Sequence, residues 1–206
     1  MRSATAAEFV IAAPASPYAP SFYPGKNLGA YGDAGAALTG SADVAARMRM
    51  IRDHGSPRKY QHEVIGVNSR LDTLQAVVLS AKLRRLAAWN AARRAAAARY
   101  DELLAGFDVI GLPRTLDGNE HVWHLYTVRV PQRDRVLKEL HAAGIGAGIH
   151  YPAPIHLTPA FAGLGYAEGA FPVAEQAARD LLSLPLFPEI TAAQQERVVS
   201  VLASAL

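Results

Sequence analysis

Lys26 is the residue whose surroundings most clearly favour covalent chemistry. It lies in the segment SFYPGKNLG, where Pro24 and Gly25 predict a tight turn and Ser21 supplies a hydroxyl before it. A lysine amine held in one place and shielded from water can attack a carbonyl group, and a nearby hydroxyl can bind a phosphate. The local sequence leaves open the alternative that Lys26 is a solvated lysine in an exposed turn.

Two further sets of side chains are candidates for binding. Asn68, in GVNSRLD, could contact a ligand or cap the helix predicted after it, and the local sequence favours neither. His121 and His124 lie three residues apart on a predicted strand, where such side chains point to opposite faces, so no metal site is expected there. Three aromatic residues are interpreted as packing residues rather than as sugar-stacking surfaces: Trp123, Tyr126 and Tyr151.

The composition is that of an ordinary globular protein. The chain has 206 residues, of which 50% are hydrophobic and 19% charged, and its formal net charge is +3. Because it has no cysteine, it can form no disulfide, thiolate metal site or cysteine nucleophile, which suits a cytoplasmic protein. Its arginine pairs follow a helical pattern, and no apolar run approaches the ~20 residues that span a bilayer. We therefore expect neither nucleic acid nor membrane among its partners.

Residues 1–20 differ in character from the rest of the chain. They form an Ala/Pro-rich leader in which Pro14, Pro17 and Pro20 disfavour a helix or a central strand. The apolar run of the leader is short and is interrupted by Glu8. We therefore expect a disordered tail rather than a signal peptide.

Helical and strand patterns alternate through the remaining sequence, which predicts an α/β fold. A short strand is expected within 32–40, followed by a helix over 41–51. Ser69 and Asp72 form a candidate capping box for a long helix that ends near Leu104. The later elements are a strand at 121–130, a helix at 133–143, a strand at 145–149, a helix at 173–182 and, after a capping box at 191–194, a final helix to 202.

Five blocks of sequence, in a fixed order and at regular spacing, carry a family resemblance. They are SFYPGKNLGAYGDAGA, RDHGSPRKYQHEVIGVNSRLDTLQAVVLSAKL, WHLYTVRV, GIGAGIHYPAPIHL and FPVAEQAARDLLSLPLFPEIT. On these residues the chain, from 21 to 206, closely resembles the second half of the DegT/DnrJ/StrS family of sugar aminotransferases. Several long blocks in one order are far more specific than any single motif.

The resemblance implies a reaction and a cofactor. Members of the family use pyridoxal 5′-phosphate (PLP) to move an amino group, usually from glutamate, onto the keto group of a nucleotide-linked sugar. By the resemblance, Lys26 matches the lysine that holds PLP as a Schiff base and then serves as general base, and Ser21 matches a phosphate-binding hydroxyl. Asn68 matches an asparagine that reaches the phosphate from the neighbouring subunit of a homodimer. His150 and Tyr151 match a segment near the substrate.

The fold implied is α/β, that of a fold-type-I PLP-dependent transferase lacking most of its N-terminal large domain. Residues 1–20 would be a leader outside the family, 21–104 the tail of the PLP-binding large domain, and 105–206 the small C-terminal domain. Full members carry a long region before the lysine that supplies an acidic partner for the pyridine nitrogen of the cofactor. Nothing in residues 1–20 matches that region, so a truncated chain is expected.

Truncation brings a rival function into view. The chain would then be a catalytically inactive fragment or a non-catalytic dimerisation partner of an intact homologue. The helices and strands that remain would leave apolar faces uncovered. Poor solubility or self-association is the expected consequence.

Overall fold

The computed structural model describes residues 18–206, so residues 1–17 of the predicted leader lie outside the described residues. The chain forms two compact units, the first ending at Ala87 and the second running from Ala88 to Leu206. Their boundary falls inside one long helix. The domain division predicted after residue 104 stays a prediction.

The described part of the first unit begins with an antiparallel pairing of residues 18–22 with residues 34–38, so the disordered tail predicted for residues 1–20 is wrong for residues 18–20. Backbone hydrogen bonds of 2.8–3.0 Å join Tyr18 with Leu38, Ala36 with Pro20 and Phe22 with Ala34. Pro20 takes part through its carbonyl, because proline has no N–H to donate. The strand predicted within 32–40 is therefore paired over 34–38, although it forms isolated bridges rather than a continuous strand.

Helix α1 spans Ala42–Arg52 and begins where the sequence predicts. The side chain of its N-cap, Ser41, accepts a hydrogen bond from the N–H of Val44 at 3.3 Å. None of the residues of α1 is buried. The small core of this unit lies elsewhere, and its members are Leu28, Ala30 and Leu79, packed with Phe22, Ala34, Leu83 and Leu86.

Helix α2 spans Thr73–Leu104, and its predicted end near Leu104 is confirmed. The predicted capping box at Ser69 is wrong. The N–H of Ala76 donates to the carbonyl of Asp72 at 3.0 Å, so the helix begins directly after that aspartate. Asp72 is itself a residue type favoured before a helix, and it takes the position that the pattern had given to Ser69.

The second unit combines the later part of α2 with two short strands and three helices. Strand β1 is Tyr126–Arg129 and strand β2 is Leu181–Leu184, and they pair antiparallel with Thr127 opposite Ser183. The helices are α3 at Arg133–Ala142, α4 at Pro172–Asp180 and α5 at Ala192–Ser204. Two short 3₁₀ helices, Ile155–Leu157 and Pro159–Leu164, precede α4.

A single buried cluster joins the later part of α2 with β1, β2, α3 and α5. It takes Tyr100 and Leu104 from α2, and these residues are at most 1% exposed. The strands, α3 and α5 contribute apolar side chains that include Tyr126, Val128, Val136, Leu140, Leu182 and Leu202. Among residues 18–206, no helix has the length and apolar character needed to cross a membrane.

Three predicted elements differ from the structure in the type assigned to some of their residues. The strand expected at 121–130 begins only at Tyr126, and the helix expected at 173–182 ends at Asp180, after which the chain continues as β2. The strand expected at 145–149 is reduced to one bridge between Gly148 and Ser183. Short apolar runs fit a helix or a strand equally well, and pairing distant in sequence decides between them.

Candidate functional site

The loop that carries Lys26 is a tight turn with a packed base. The N–H of Lys26 donates to the carbonyl of Tyr23 at 2.8 Å, which closes the turn predicted from Pro24 and Gly25. Lys26 is half-buried, and residues 28–30, which follow it, are buried. The lysine is thus attached to a backbone that the turn and the buried residues after it hold in place.

Helix α2 braces this loop with two side chains that the sequence did not single out. Nζ of Lys82 donates to the carbonyl of Gly29 at 2.6 Å, and Oε1 of Gln75 accepts from the N–H of Tyr31 at 2.8 Å. A side chain at Gly29 would collide with the carbonyl of Pro24, so the close approach requires glycine. The sequence signal that could have predicted both contacts is a polar residue on the otherwise apolar face of a helix.

Ser21 lies at the start of the same loop. It is exposed, it pairs with Gly35, and its Oγ accepts a hydrogen bond from the N–H of Tyr23 at 3.3 Å. A hydroxyl retains a donor and a second acceptor position after such a contact. Ser21 and Lys26 therefore lie on one short, ordered segment.

Asn68 lies at the other end of the loop that follows α1. It forms a bridge with Asp53, and its Oδ1 accepts from Nε of Arg70 at 3.2 Å. Arg70 also lies 3.8 Å from the carboxylate of Asp53. The capping alternative is wrong, because α2 begins only at Thr73. Asn68 is exposed, and its nearest side-chain partner is a cation.

His150 and Tyr151 belong to the second unit, whereas Ser21, Lys26 and Asn68 belong to the first. The imidazole of His150 is half-buried, and its Nδ1 lies 2.9 Å from Oγ of Ser183. The ring of Tyr151 meets that imidazole edge-on, at 5.5 Å between centroids, and is 69% exposed. The packing interpretation is therefore confirmed for Trp123 and Tyr126, which are buried, and wrong for Tyr151.

A second histidine in this unit pairs with a buried carboxylate. Nε2 of His156 lies 3.0 Å from Oε1 of Glu175, and the N–H groups of Gly169 and Phe171 donate to the same carboxylate. The backbone hydrogen bond from Gly169 is the main cause that holds the pKa of Glu175 below its ordinary value. Neither side chain was singled out from the sequence.

The remaining predicted pair, His121 and His124, precedes β1 instead of lying on it. The prediction that they lie on opposite faces of a strand is therefore wrong. Nδ1 of His121 accepts from the N–H of Trp123 at 2.8 Å, a local contact at the start of the strand. Within residues 18–206, no group of three metal-ligating side chains is found.

Comparison with known sequences finds one family of proteins along most of the chain. A sequence profile of the DegT/DnrJ/EryC1/StrS aminotransferase family matches residues 11–203. The chain is 51% identical over 179 residues to a dTDP-3-amino-3,4,6-trideoxy-alpha-D-glucose transaminase of Streptomyces venezuelae, covering 87% of this chain and 47% of that one. It is 46% identical over 182 residues to a UDP-N-acetyl-3-dehydro-alpha-D-glucosamine 3-aminotransferase of Acidithiobacillus ferrooxidans, covering 88% and 48%.

Comparison with solved structures agrees. The chain superposes on DesV of S. venezuelae, solved in complex with a ketimine intermediate, with a TM-score of 0.90 and 49% identity, over 94% of this chain and 52% of DesV. It superposes on NtdA of Bacillus subtilis, solved with bound cofactor PMP, with a TM-score of 0.81 and 30% identity, over 92% and 45%. The predicted α/β fold is confirmed, and the chain spans about half the length of the relatives it matches.

Proposed function

The chain belongs to the DegT/DnrJ/EryC1/StrS aminotransferase family, and on that premise we propose that it contributes the cofactor lysine and part of the substrate pocket to a sugar aminotransferase. The reaction would transfer an amino group, from a donor such as glutamate, to the keto group of a nucleotide-linked sugar. The observation that carries the proposal is the fixed, half-buried position of Lys26 on its braced turn.

The residues around Lys26 fit PLP. A primary amine on an ordered loop can bond an aldehyde, and the exposed hydroxyl of Ser21 on the same loop can donate to a phosphate oxygen. Arg70 keeps a positive charge beside the amide of Asn68, which suits a phosphate as ligand. When bound, PLP would supply an electron-accepting ring.

Lys26 would hold and move the proton in this scheme. A lysine amine positioned by a tight turn can accept a proton from a substrate carbon and return it to a neighbouring atom. The braces from Lys82 and Gln75 would keep its backbone from shifting as the amine exchanges partners. Ser21 and Asn68 would bind the phosphate of the cofactor, and His150 and Tyr151 would orient the sugar.

The substrate class follows the relatives. Their names specify nucleotide-linked amino sugars, with dTDP in one and UDP in the other. We therefore propose that the substrate of this chain is a nucleotide-linked keto sugar whose nucleotide is dTDP or UDP. A homodimer, in which Asn68 reaches the partner's cofactor, and a cytoplasmic location belong to the same proposal.

Borohydride reduction in the presence of PLP tests the role of Lys26. Reduction makes a bond between the lysine amine and the cofactor permanent, and peptide mass spectrometry locates it. The sequence has four lysines, Lys26, Lys59, Lys82 and Lys138, so each possible position can be read separately. We expect a stoichiometric adduct on Lys26.

The other lysines are internal controls for this experiment. Lys59 and Lys138 are exposed, so they report non-selective labelling. The variant Lys26→Arg keeps the positive charge and should lose the adduct. Scattered labelling of several lysines, or equal labelling of Lys59 and Lys26, contradicts the proposal. It favours the alternative that the chain is catalytically inactive.

A further inference from the structure

The imidazole of His150 is held by two hydroxyl groups in series. Its Nδ1 lies 2.9 Å from Oγ of Ser183, and that oxygen lies 3.2 Å from Oγ1 of Thr127. Ser183 lies between leucines in β2 and is only 4% exposed, whereas serine is mostly exposed in folded proteins. A buried hydroxyl needs partners, and these two are the side-chain partners that it has among the described residues.

The sheet places these groups side by side. Ser183 exchanges both of its backbone hydrogen bonds with Gly148, at 2.8 and 3.0 Å. Its pairing with Thr127 on the other side is therefore a non-hydrogen-bonded pair, the kind in which cross-strand side chains lie closest. The register of β1 and β2 thus brings the two hydroxyls together, and the bridge to Gly148 brings His150 beside Ser183.

Gly148 leaves the space in which the ring lies. A Cβ atom at this position would come within 3.1 Å of Cε1 of His150, closer than ordinary packing allows. Any larger residue would therefore press the imidazole away from Ser183. The ring is confined by the Gly148 backbone on one side and by the edge of Tyr151 on another.

The hydrogen bonds of the series can run in two directions, and each leaves one hydrogen without an acceptor among residues 18–206. If Thr127 donates to Ser183 and Ser183 donates to Nδ1, that hydrogen lies on Nε2 of the imidazole. In the opposite direction, Nδ1–H donates to Ser183 and Ser183 to Thr127, and the hydrogen is that of the half-buried Thr127 hydroxyl. The first direction makes Nδ1 an acceptor and presents Nε2–H as a donor, which suits the oxygen-rich ligand of the proposed function.

We propose that Ser183, backed by Thr127, is a positioning residue that fixes Nε2–H of His150 as a hydrogen-bond donor directed away from the β1–β2 sheet. The identity of its acceptor rests on the proposed function: an oxygen atom of the nucleotide-linked sugar. Among the described residues the imidazole makes its hydrogen bond through Nδ1, so Nε2 remains for that ligand.

Long-range ¹H–¹⁵N NMR of the full chain tests the proposal, because it distinguishes the two neutral forms of each imidazole. Seven histidines are present, and His150→Gln identifies the signal of interest. We expect the neutral form of His150 to carry its proton on Nε2. Ser183→Ala should lower the ratio of the Nε2–H form to the Nδ1–H form about tenfold, the effect of losing one hydrogen bond.

Two conservative variants separate positioning from general damage. Ser183→Thr keeps the hydroxyl and should restore the ratio, while Thr127→Val keeps the shape and should lower it by a smaller factor than Ser183→Ala does. If Ser183→Ala fails to fold, Thr127→Val alone tests the proposal. A proton found on Nδ1 in the unaltered chain, or a ratio that Ser183→Ala and Thr127→Val both leave unchanged, overturns the proposal.

The ligand is tested with dTDP-glucose as the probe. Binding should shift the Nε2 signal of His150, and Ser183→Ala should weaken binding several-fold. Absence of any response at millimolar probe overturns the assignment of Nε2 as the substrate-facing donor. The labelling of Lys26 is measured separately, so a chain that shows the expected ratio but no adduct contradicts the proposed function and not the positioning of His150.

Discussion

Glu175 is a buried carboxylate that holds a loop in place. Its oxygens accept hydrogen bonds of 2.9–3.1 Å from the backbone N–H groups of Gly169 and Phe171, and Oε1 also contacts His156. The rings of His156 and Phe171 pack at 4.8 Å. One side chain at the start of α4 thus ties together the segment before the helix and the first 3₁₀ helix after His150.

This arrangement predicts how stability depends on pH. The backbone hydrogen bond from Gly169 is the first of the causes that lower the pKa of Glu175 from its ordinary value of 4.5. A carboxyl group with a lowered pKa stabilises the fold above its ordinary pKa, and the contribution disappears as the pH falls through the lowered value. Glu175→Gln should therefore lower the melting temperature at pH 7, and the difference should shrink in acid.

Glu168→Gln is the matched control for this comparison. Glu168 lies in the same loop, but its side chain is 80% exposed and its nearest cation, in Arg179, is 4.0 Å away. Exposed pairs of this kind contribute little to stability. Thermal melts of both variants between pH 7 and pH 4 give the result, and equal effects of the two substitutions would contradict the role assigned to Glu175.

At the scale of elements, two helices begin with a hydroxyl side chain at the N-cap but differ in how much they contribute to a buried core. Thr191 caps α5 with a full capping box, in which Gln194 reaches back to the N–H of Thr191 at 2.8 Å. Helix α5 buries Val198 and Leu202 in the core of the second unit. Helix α1 has a serine cap, and none of its residues is fully buried.

We expect the two caps to matter differently. Thr191→Ala should lower the free energy of unfolding by about 1 kcal/mol, because α5 cannot fray without exposing the core. Ser41→Ala removes a similar hydrogen bond, but it should only increase local fraying of α1. Urea denaturation measures the first effect and amide hydrogen exchange the second. A larger loss of global stability in Ser41→Ala than in Thr191→Ala would show that this account of the caps is wrong.

The same elements show which parts of the fold the sequence predicts. The start of α1 at Ser41 and the capping box at Thr191 are written in adjacent residues, and both are confirmed. Strand β2 follows α4 without a break, and its leucines continue the helical pattern, so its pairing with β1 and with Gly148 makes it a strand. The contact of Ser183 with His150 spans 33 residues, and no local pattern encodes it.

The candidate site divides in the same way. Lys26, Ser21 and Asn68 stand in segments that resemble the family, so sequence alone could nominate them, and their roles stay predictions. Lys82 and Gln75 support the loop from a distant helix. Their hydrogen bonds depend on how that helix packs, which the sequence does not specify locally.

At the scale of the whole chain, burial is uneven between the two units. Among residues 18–206, the buried cluster of the first unit has three members, whereas that of the second has eighteen. Large apolar side chains are exposed in both units, among them Tyr31, Tyr60 and Ile65 in the first and Ile155 and Val173 in the second. This exposure supports the expectation of self-association, which stays a prediction for sedimentation to test.

The second unit should fold on its own only if it keeps the end of α2. Tyr100 and Leu104 lie in its core, and the hydroxyl of Tyr100 donates to the carbonyl of Pro185 at 2.9 Å. Removing a buried aromatic or leucine side chain costs about 2–5 kcal/mol each, and a domain has only about 5–15 kcal/mol in total. A fragment of residues 88–206 should therefore unfold cooperatively, whereas a fragment of residues 105–206 should not.

The two fragments distinguish the two possible domain boundaries. Division after residue 87 keeps the core side chains of α2, which are Ala97, Tyr100 and Leu104, in the second unit, and the division predicted after residue 104 removes them. Thermal melts followed by near-ultraviolet circular dichroism report the packing of Trp123 and Tyr126 directly. Tyr100→Ala in the longer fragment is the matched control, and it should lose several kcal/mol. Equal, sharp transitions in both fragments would favour the boundary after residue 104 and would mean that α2 contributes little to this core.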